Sequence, residues 1–466
     1  MGGPGAPFAA RNPLRLVPVI APSGLTRLPL LIVLGYVVAT FALFLAWPIN
    51  WPIYYLSDWL RLIGYVSLCF AIIAAAMLTG SAGATRIKAP LPHLPLLLTA
   101  GAITAALLLI PASFAYTGRG PWEVIDALRD QGGAYRRLQI QLFATEGHRD
   151  LIVALRVLSA PLTFAVLPLG VIHWRTIGIA GRAVVIVAVL TSVNFSILRG
   201  TDKEIADLFI VGCAGAFIAY GRNRTLGHGG WEMVRRFWKP ALVALLFVYL
   251  AQGLFTERKQ ERLGGFVSRT AICINASRIC ANLDNPWISW LPLRQRFGAT
   301  IFILSTSSGY YGLELALEKP FESSFGVGHS PAALSIYEAL TGDPAPHLKT
   351  FTYRNAADLW PEDYYWSTLV TWIANDVGFL GALPVLGLIG YLWGLWWREA
   401  AAGMSDPAAV LFALATEMMF YFPANNQVLA GYDGYTVIFV WLLVWLWHRS
   451  RRTLSAAIPV FSPSVS

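Results

Sequence analysis

Stretches of about 20 apolar residues recur along this chain with almost no charge inside them, and few features restrict a fold so severely. Crossing roughly 30 Å of hydrocarbon takes about 20 residues of helix, and backbone in lipid must satisfy its own hydrogen bonds. Ten candidates are present, approximately Leu28 to Trp47, Leu62 to Leu78, Leu94 to Tyr116, Leu151 to Ile172, Ala183 to Leu198, Ile205 to Tyr220, Pro240 to Phe255, Thr368 to Trp396, Ala408 to Phe422 and Thr436 to Trp447. The shorter ones fit by tilting or by recruiting flanking aromatics, which brackets the count at nine to twelve. With 56% hydrophobic residues, 13% charged and a mean hydropathy of +0.56, composition gives the same class. The expectation is an all-α, polytopic integral membrane helix bundle.

Basic residues set the orientation. Arg11, Arg15 and Arg27 precede the first span, Arg86 and Lys88 follow the second, and Arg175 and Arg182 follow the fourth. Arg222, Arg224, Arg235, Arg236 and Lys239 follow the sixth, Arg398 the eighth, and Arg449, Arg451 and Arg452 the tenth. The positive-inside rule then puts both termini in the cytoplasm, with the first span as a retained signal anchor. These segments carry a net +13 in a +9 chain, leaving −4 for the remainder. The basic balance is therefore topological, and the partner it implies is the bilayer rather than nucleic acid.

One long interruption stands out: Thr256 to Tyr365, about 110 residues of mixed polar, charged and aromatic sequence. It divides the chain into about seven spans up to residue 255, a large periplasmic loop with amphipathic helices over 256–365, further spans over 366–448 and a tail over 449–466. Cys273 and Cys280 lie in this loop, as a disulfide or as two thiols, and Cys69 and Cys213 fall inside spans. No second ligand pair accompanies the loop cysteines, so no metal and no cofactor is expected.

Chemistry-bearing residues gather on the outer segments. The corner Arg199-Gly-Thr-Asp-Lys-Glu204 packs four ionisable residues between two spans, with Asp207 one turn later. Arg199 and Lys203 suit a pyrophosphate, and Asp202 or Glu204 a base; the plainer reading is a solvated turn with a Lys203–Asp207 pair. Arg136 and Arg137 follow a flexible Gly132-Gly133 turn, against the topological bias. Within the long loop, Tyr310 and Tyr311 open an amphipathic helix and offer faces to sugars, or that helix caps the bundle at the membrane surface. His329 sits in a polar turn, Arg354 lies beyond it, and Asp376 places a carboxylate at the mouth. Glu417 lies inside a span, where ionisable groups are costly unless paired or hydrated. Asn425 and Asn426 add amides suited to sugar hydroxyls.

The chain resembles the O-antigen polymerase (Wzy-type) family of oligosaccharide repeat-unit polymerases. The resemblance lies in the N-in, C-in multispan layout with unequal outer loops, the hairpin Arg199-Gly-Thr-Asp-Lys-Glu204, and the segment Gly309-Tyr-Tyr-Gly-Leu-Glu-Leu-Ala-Leu317. Some members carry an Arg, ten residues, then Gly in each large outer loop. Arg136 to Gly147 fits that spacing in the first such loop, and the second has no counterpart.

The resemblance implies a GT-C-like membrane glycosyltransferase that moves a growing glycan from undecaprenyl pyrophosphate onto the next lipid-linked unit without metal. A chain-length regulator is a further expected partner. Arg136, Arg137, Arg199, Lys203 and Arg354 would hold the pyrophosphate, and Asp202, Glu204 or Asp376, in that order, would act as base. Tyr310, Tyr311, His329, Asn425 and Asn426 would face sugars. Related ligases share the layout. A transporter or flippase for lipid-linked glycans is a competing reading, whose internal repeats, broken helices or midplane charges the sequence does not display. The loop's own charges, ten basic and eleven acidic, nearly cancel, which suits a lid and acceptor surface better than a phosphate trap.

Overall fold

The computed structural model describes residues 27–83, 85, 87–88, 90–143, 148–225, 271–274 and 279–450, and over these the chain is mostly helical. In chain order the helices are α1 (Leu28–Ala46), α2 (Leu56–Ser81), α3 (Leu94–Thr117), α4 (Val124–Arg129), α5 (Gln131–Phe143), α6 (His148–Ile172), α7 (Gly178–Leu198) and α8 (Lys203–Thr225). After the long loop's strands come, single helical turns aside, α9 (Leu293–Ser307), α10 (Gly309–Leu317), α11 (Pro331–Thr341), α12 (Leu369–Ala401), α13 (Asp406–Phe420) and α14 (Tyr432–Ser450).

Among the described residues, seven helices are long and apolar enough to cross a membrane: α1, α2, α3, α6, α7, α8 and α12. Nine of the ten expected spans coincide with helices. The tenth, Pro240 to Phe255, lies outside the described residues, as do Gly147 and most of the Arg222 to Lys239 cluster.

Close helix packing relies on glycine. Gly390 and Gly394 of α12, spaced one turn apart, lie against the backbone of α2: an added Cβ would meet Ile73 O at 2.9 Å and Met77 O at 2.2 Å. Gly80 of α2 returns the contact, its Cβ position 2.1 Å from Tyr391 O. Small residues at such spacing let two backbones approach where lipid supplies no hydrophobic drive between helices. The Tyr65 hydroxyl donates to Phe379 O at 2.7 Å, so α2 and α12 run parallel.

The bundle is not filled by full-length helices alone. At 1.5 Å per residue α13 reaches about 22 Å, and its Phe420 ring stacks on Tyr36 at 4.2 Å, ten residues before the end of α1. Above α13 the space is taken by α9 and α10. Tyr310 is fully buried, and its hydroxyl donates to Val37 O at 3.3 Å and lies 3.2 Å from Thr40 Oγ1. Val37 is nine residues from the end of α1, roughly 13 Å down the helix. Residues 309–316 are all buried. The segment expected to cap the membrane surface descends into the bundle instead, because its helix is apolar on every side except at Glu314.

The expectation of helices alone also needs amending. A three-stranded antiparallel sheet, β1 (Ile49–Asn50), β3 (Ile279–Asn282) and β2 (Ala271–Ile274), ties the turn after α1 to the long loop. Cys273 and Cys280 face each other across β2 and β3 and form a disulfide.

The two ends of the bundle differ. At the end bearing Lys88, Arg398 and Arg449, Asp406 of α13 is fully buried and accepts from Leu91 N at 3.2 Å, with Arg222 at 3.0 Å and His173 at 2.9 Å. Glu399 beside it accepts from Trp445 Nε1 at 2.7 Å. This basic end is pinned by closed polar contacts. The opposite, loop-bearing end carries the Arg199 corner and the long loop.

Candidate functional site

The corner Arg199–Glu204 turns sharply because Gly200 adopts a left-handed φ of 61°. A Cβ there would lie 2.7 Å from both Gln131 O and Tyr135 N, so the corner is pressed onto the first turn of α5. Thr201 Oγ1 donates to Glu204 at 2.8 Å, and Arg199 Nη1 pairs with the same carboxylate. Lys203 pairs with Asp207 at 3.4 Å, and the Tyr421 hydroxyl donates to Asp207 at 2.8 Å. Glu417, one turn before Tyr421 on α13, is buried close to Asp207 and Lys203. Ionisable groups this deep are expensive unless mutually compensated, and here they form one patch.

A second guanidinium joins the patch. The Arg156 guanidinium lies 5.2 Å from the Tyr116 ring and 4.7 Å from Phe195; that of Arg199 lies 5.5 Å and 5.2 Å from the same two rings. The rings meet edge-on at 5.7 Å. Two guanidinia thus converge on one aromatic pair, and among the described residues Arg199 is counterbalanced by Glu204 and Arg156 by Asp433 at 3.5 Å. Arg199 Nε is buried with no hydrogen-bond partner among the described residues. Planar, weakly hydrated guanidinia tolerate such aromatic seats while each pairs with a carboxylate.

The third component forms where α12 breaks. Gly378 takes φ 69° and ψ 171°, interrupting the helix just after Asp376. The loop 324–329 wraps that carboxylate: Gly328 N donates at 2.7 Å, His329 N at 2.9 Å, and Ser324 Oγ lies at 2.7 Å. His329 Nδ1 is 2.8 Å from the carboxylate, and its Nε2 contacts the Tyr435 hydroxyl. Asn375 steadies the loop by donating to Gly328 O at 2.8 Å and accepting from Phe351 N at 2.8 Å.

One turn joins the two centres. Tyr421 bonds Asp207, and five residues later Asn426 donates to His329 O at 2.6 Å. On α14, Asp433 holds Arg156 and Tyr435 meets His329. The corner thus rests on α5, and the 421–426 turn and α14 connect it to the 324–329 loop.

Not every expected residue joins them. Arg136 is exposed on α5, and Arg137 pairs with Asp130 at 3.5 Å. The Gly132-Gly133 pair is no flexible turn: it lies in the first turn of α5, where Asp130 Oδ1 caps Gly133 N at 2.8 Å. Arg354 pairs with Glu322 at 2.8 Å and donates to Pro320 O at 2.8 Å. Tyr310 and Tyr311 have no open ring face for a sugar, since both are buried, Tyr311 between Trp51 and Trp360. Asn426 is also buried, its amide spent on His329, while Asn425 Oδ1 caps Asn426 N. Asp202 is half-buried within the corner, and Glu204 is committed to Arg199 and Thr201.

Arg156 and Tyr435 were missed. Arg156 lies within an apolar span, where a lone cation is itself a signal; Tyr435 stands at the edge of the last span, where nothing local marks it.

Among the described residues, Asp58, Glu314 and Glu318 bring carboxylate oxygens within 4.8 Å of one another, the one grouping with metal-ligand spacing. Arg61 fills their centre, 2.9 Å from Glu318, 3.3 Å from Glu314 and 3.6 Å from Asp58. Burial pushes the Glu314 carboxyl up to about 7. The arginine supplies the positive charge that a cation would bring.

No family model, curated protein or solved structure matches this chain.

Proposed function

We propose that the chain is a metal-independent membrane glycosyltransferase of the repeat-unit polymerase kind, working at the loop-bearing end of its bundle. The donor would be a glycan on undecaprenyl pyrophosphate and the acceptor a hydroxyl of the next lipid-linked unit. The observation that carries this reading is the convergence of Arg156 and Arg199 on the Tyr116–Phe195 ring pair, with Arg199 Nε buried and unpartnered among the described residues. Two forked cations at one spot suit the adjacent phosphates of a pyrophosphate, and the departing group gathers charge where they stand.

The acceptor proton leaves toward the Asp376–His329 pair rather than to Asp202 or Glu204. Attack by the acceptor oxygen forms the new bond to the anomeric carbon as the bond to pyrophosphate breaks, inverting the centre in one displacement. The resemblance of layout and of the corner hairpin to Wzy-type polymerases supports the same reading.

The break at Gly378 favours a second reading, transport of the lipid-linked glycan, because discontinuous helices are frequent in transporters. The break lies nine residues, roughly 13 Å, from the loop-bearing end of α12 and level with Tyr65 of α2. Purified protein in lipid nanodiscs, supplied with a lipid-linked repeat unit, separates the two. Longer glycans support transfer. Unchanged glycans, with sugar-lipid crossing between leaflets in vesicles, support transport.

A further inference from the structure

We infer that Tyr435 is a hydroxyl activated by His329 and is the member of the Asp376–His329–Tyr435 line that meets the substrate. Its role in the reaction rests on the glycosyl-transfer reading; its activation does not.

The hydrogen bonds orient the line. An ionised Asp376 only accepts, and it already takes Gly328 N and His329 N. Its bond to His329 Nδ1 at 2.8 Å therefore places the imidazole proton on Nδ1. Nε2 then offers a lone pair, and the Tyr435 hydroxyl donates to it. With Nδ1 turned to the carboxylate and Nε2 to the phenol, neither ring nitrogen is left to touch a ligand. The open end of the line is the Tyr435 oxygen, which accepts from the Ser330 side chain and keeps one lone pair for an incoming hydroxyl.

Position agrees with chemistry. Tyr435 is half-buried in the first turn of α14, two residues after Asp433, which holds Arg156. The same helix end thus fastens one guanidinium and presents the hydroxyl. His329 is itself fixed at both backbone groups, its N–H by Asp376 and its carbonyl by Asn426. A nucleophile or proton carrier, a histidine and an orienting carboxylate in sequence is the geometry that activates hydroxyls in acyl transfer.

In the transfer step the acceptor hydroxyl gives its proton to the Tyr435 oxygen as the Tyr435 proton passes to His329 Nε2. The acceptor oxygen bonds the anomeric carbon, and pyrophosphate leaves with the electron pair. An imidazolium facing Asp376 remains, and Tyr435 ends as it began.

The test uses the full chain in nanodiscs and an aryl sulfonyl fluoride, which modifies activated phenols, with labelled tyrosines mapped by peptide mass spectrometry. Tyr54 and Tyr364, 85% and 76% exposed, serve as internal references. Tyr435 should label at least about tenfold faster than either despite its lower exposure, and His329→Gln should remove that advantage while the two references keep their rates. Labelling of Tyr435 no faster than Tyr54 in the unmodified chain overturns the inference, as does an advantage that survives in a His329→Gln protein with unchanged references. Fast, His329-dependent labelling in a protein that extends no glycan upholds the activation and discards glycosyl transfer as its use.

Discussion

The backbone N–H of His329 and its side-chain Nδ1 reach the same carboxylate oxygen of Asp376, at 2.9 and 2.8 Å. One oxygen therefore fixes both where the loop 324–329 runs and how its imidazole is turned. The carboxylate is 9% exposed, so its donors have little water to fall back on.

Replacing Asp376 by Asn puts an amide where donors converge. Charge-assisted bonds to buried groups contribute about 1.5–3 kcal/mol each, and the substitution should cost about 2–4 kcal/mol in all. His329→Gln, which keeps the backbone bonds, should cost less. Thermal unfolding of the two purified variants, with limited proteolysis of the 321–330 segment, checks the order.

Stability should fall as pH rises from about 4.5 through 7, and Glu314 is the reason. Its carboxyl is lifted from 4.5 to about 7, first by burial and then by Glu318. The folded chain thus holds a proton that the unfolded chain releases between those values. A raised pKa adds stability below about 4.5 that is lost as pH climbs through 7, about 3 kcal/mol at 1.36 per unit. His347, raised chiefly by its bond to Glu362, acts with the same sign above 6.5. Melting temperatures at pH 5 and pH 8 should differ more in the unmodified protein than in Glu314→Gln; equal differences would count against this account.

Much of the bundle was legible because apolar runs are long and physically unambiguous. Boundaries from Leu94 to Tyr116 and from Leu28 to Trp47 fall within a residue of α3 and α1. What the sequence hid was depth. Gly309-Tyr310-Tyr311 has the composition of a surface helix start, and nothing local reveals that Tyr310 bonds Val37 in the middle of α1. Likewise the Asp376–His329 pair joins residues 47 apart, a contact set by the break at Gly378 rather than by any spacing. Arg199, Glu204 and Asp207 were readable because one short corner contains them.

Two glycines distinguish packing from backbone strain. At Gly309 a Cβ would stand 2.3 Å from Pro423 O, which cannot yield without moving α10 off the end of α13. Gly309→Ala should therefore lose most folded protein. Gly326, at φ 85° with nothing near its Cβ position, meets only the left-handed penalty, and Gly326→Ala should cost about 1–2 kcal/mol. Yield of monodisperse protein by size-exclusion chromatography separates the two.

The guanidinium pair predicts a ranking of arginines. Arg199→Ala and Arg156→Ala should each lower glycan extension about 10²–10³-fold, as loss of a fixed donor at a developing charge does. Lys at either position should recover little, because an ammonium lacks the fork. Arg136→Ala, on the exposed side of α5, should stay within about threefold of the unmodified protein by the same measure of donor loss. Extension rates with a single lipid-linked substrate give the ranking directly.

The most direct measurement counts undecaprenyl pyrophosphate released against linkages formed, in nanodiscs carrying one lipid-linked repeat unit. Glycosyl transfer predicts lengthening by whole repeat units, one carrier pyrophosphate freed per new linkage, and loss of both in Arg199→Ala. Substrate that keeps its length and its carrier with the unmodified protein, while lipid-linked sugar changes leaflets in sealed vesicles, would contradict it.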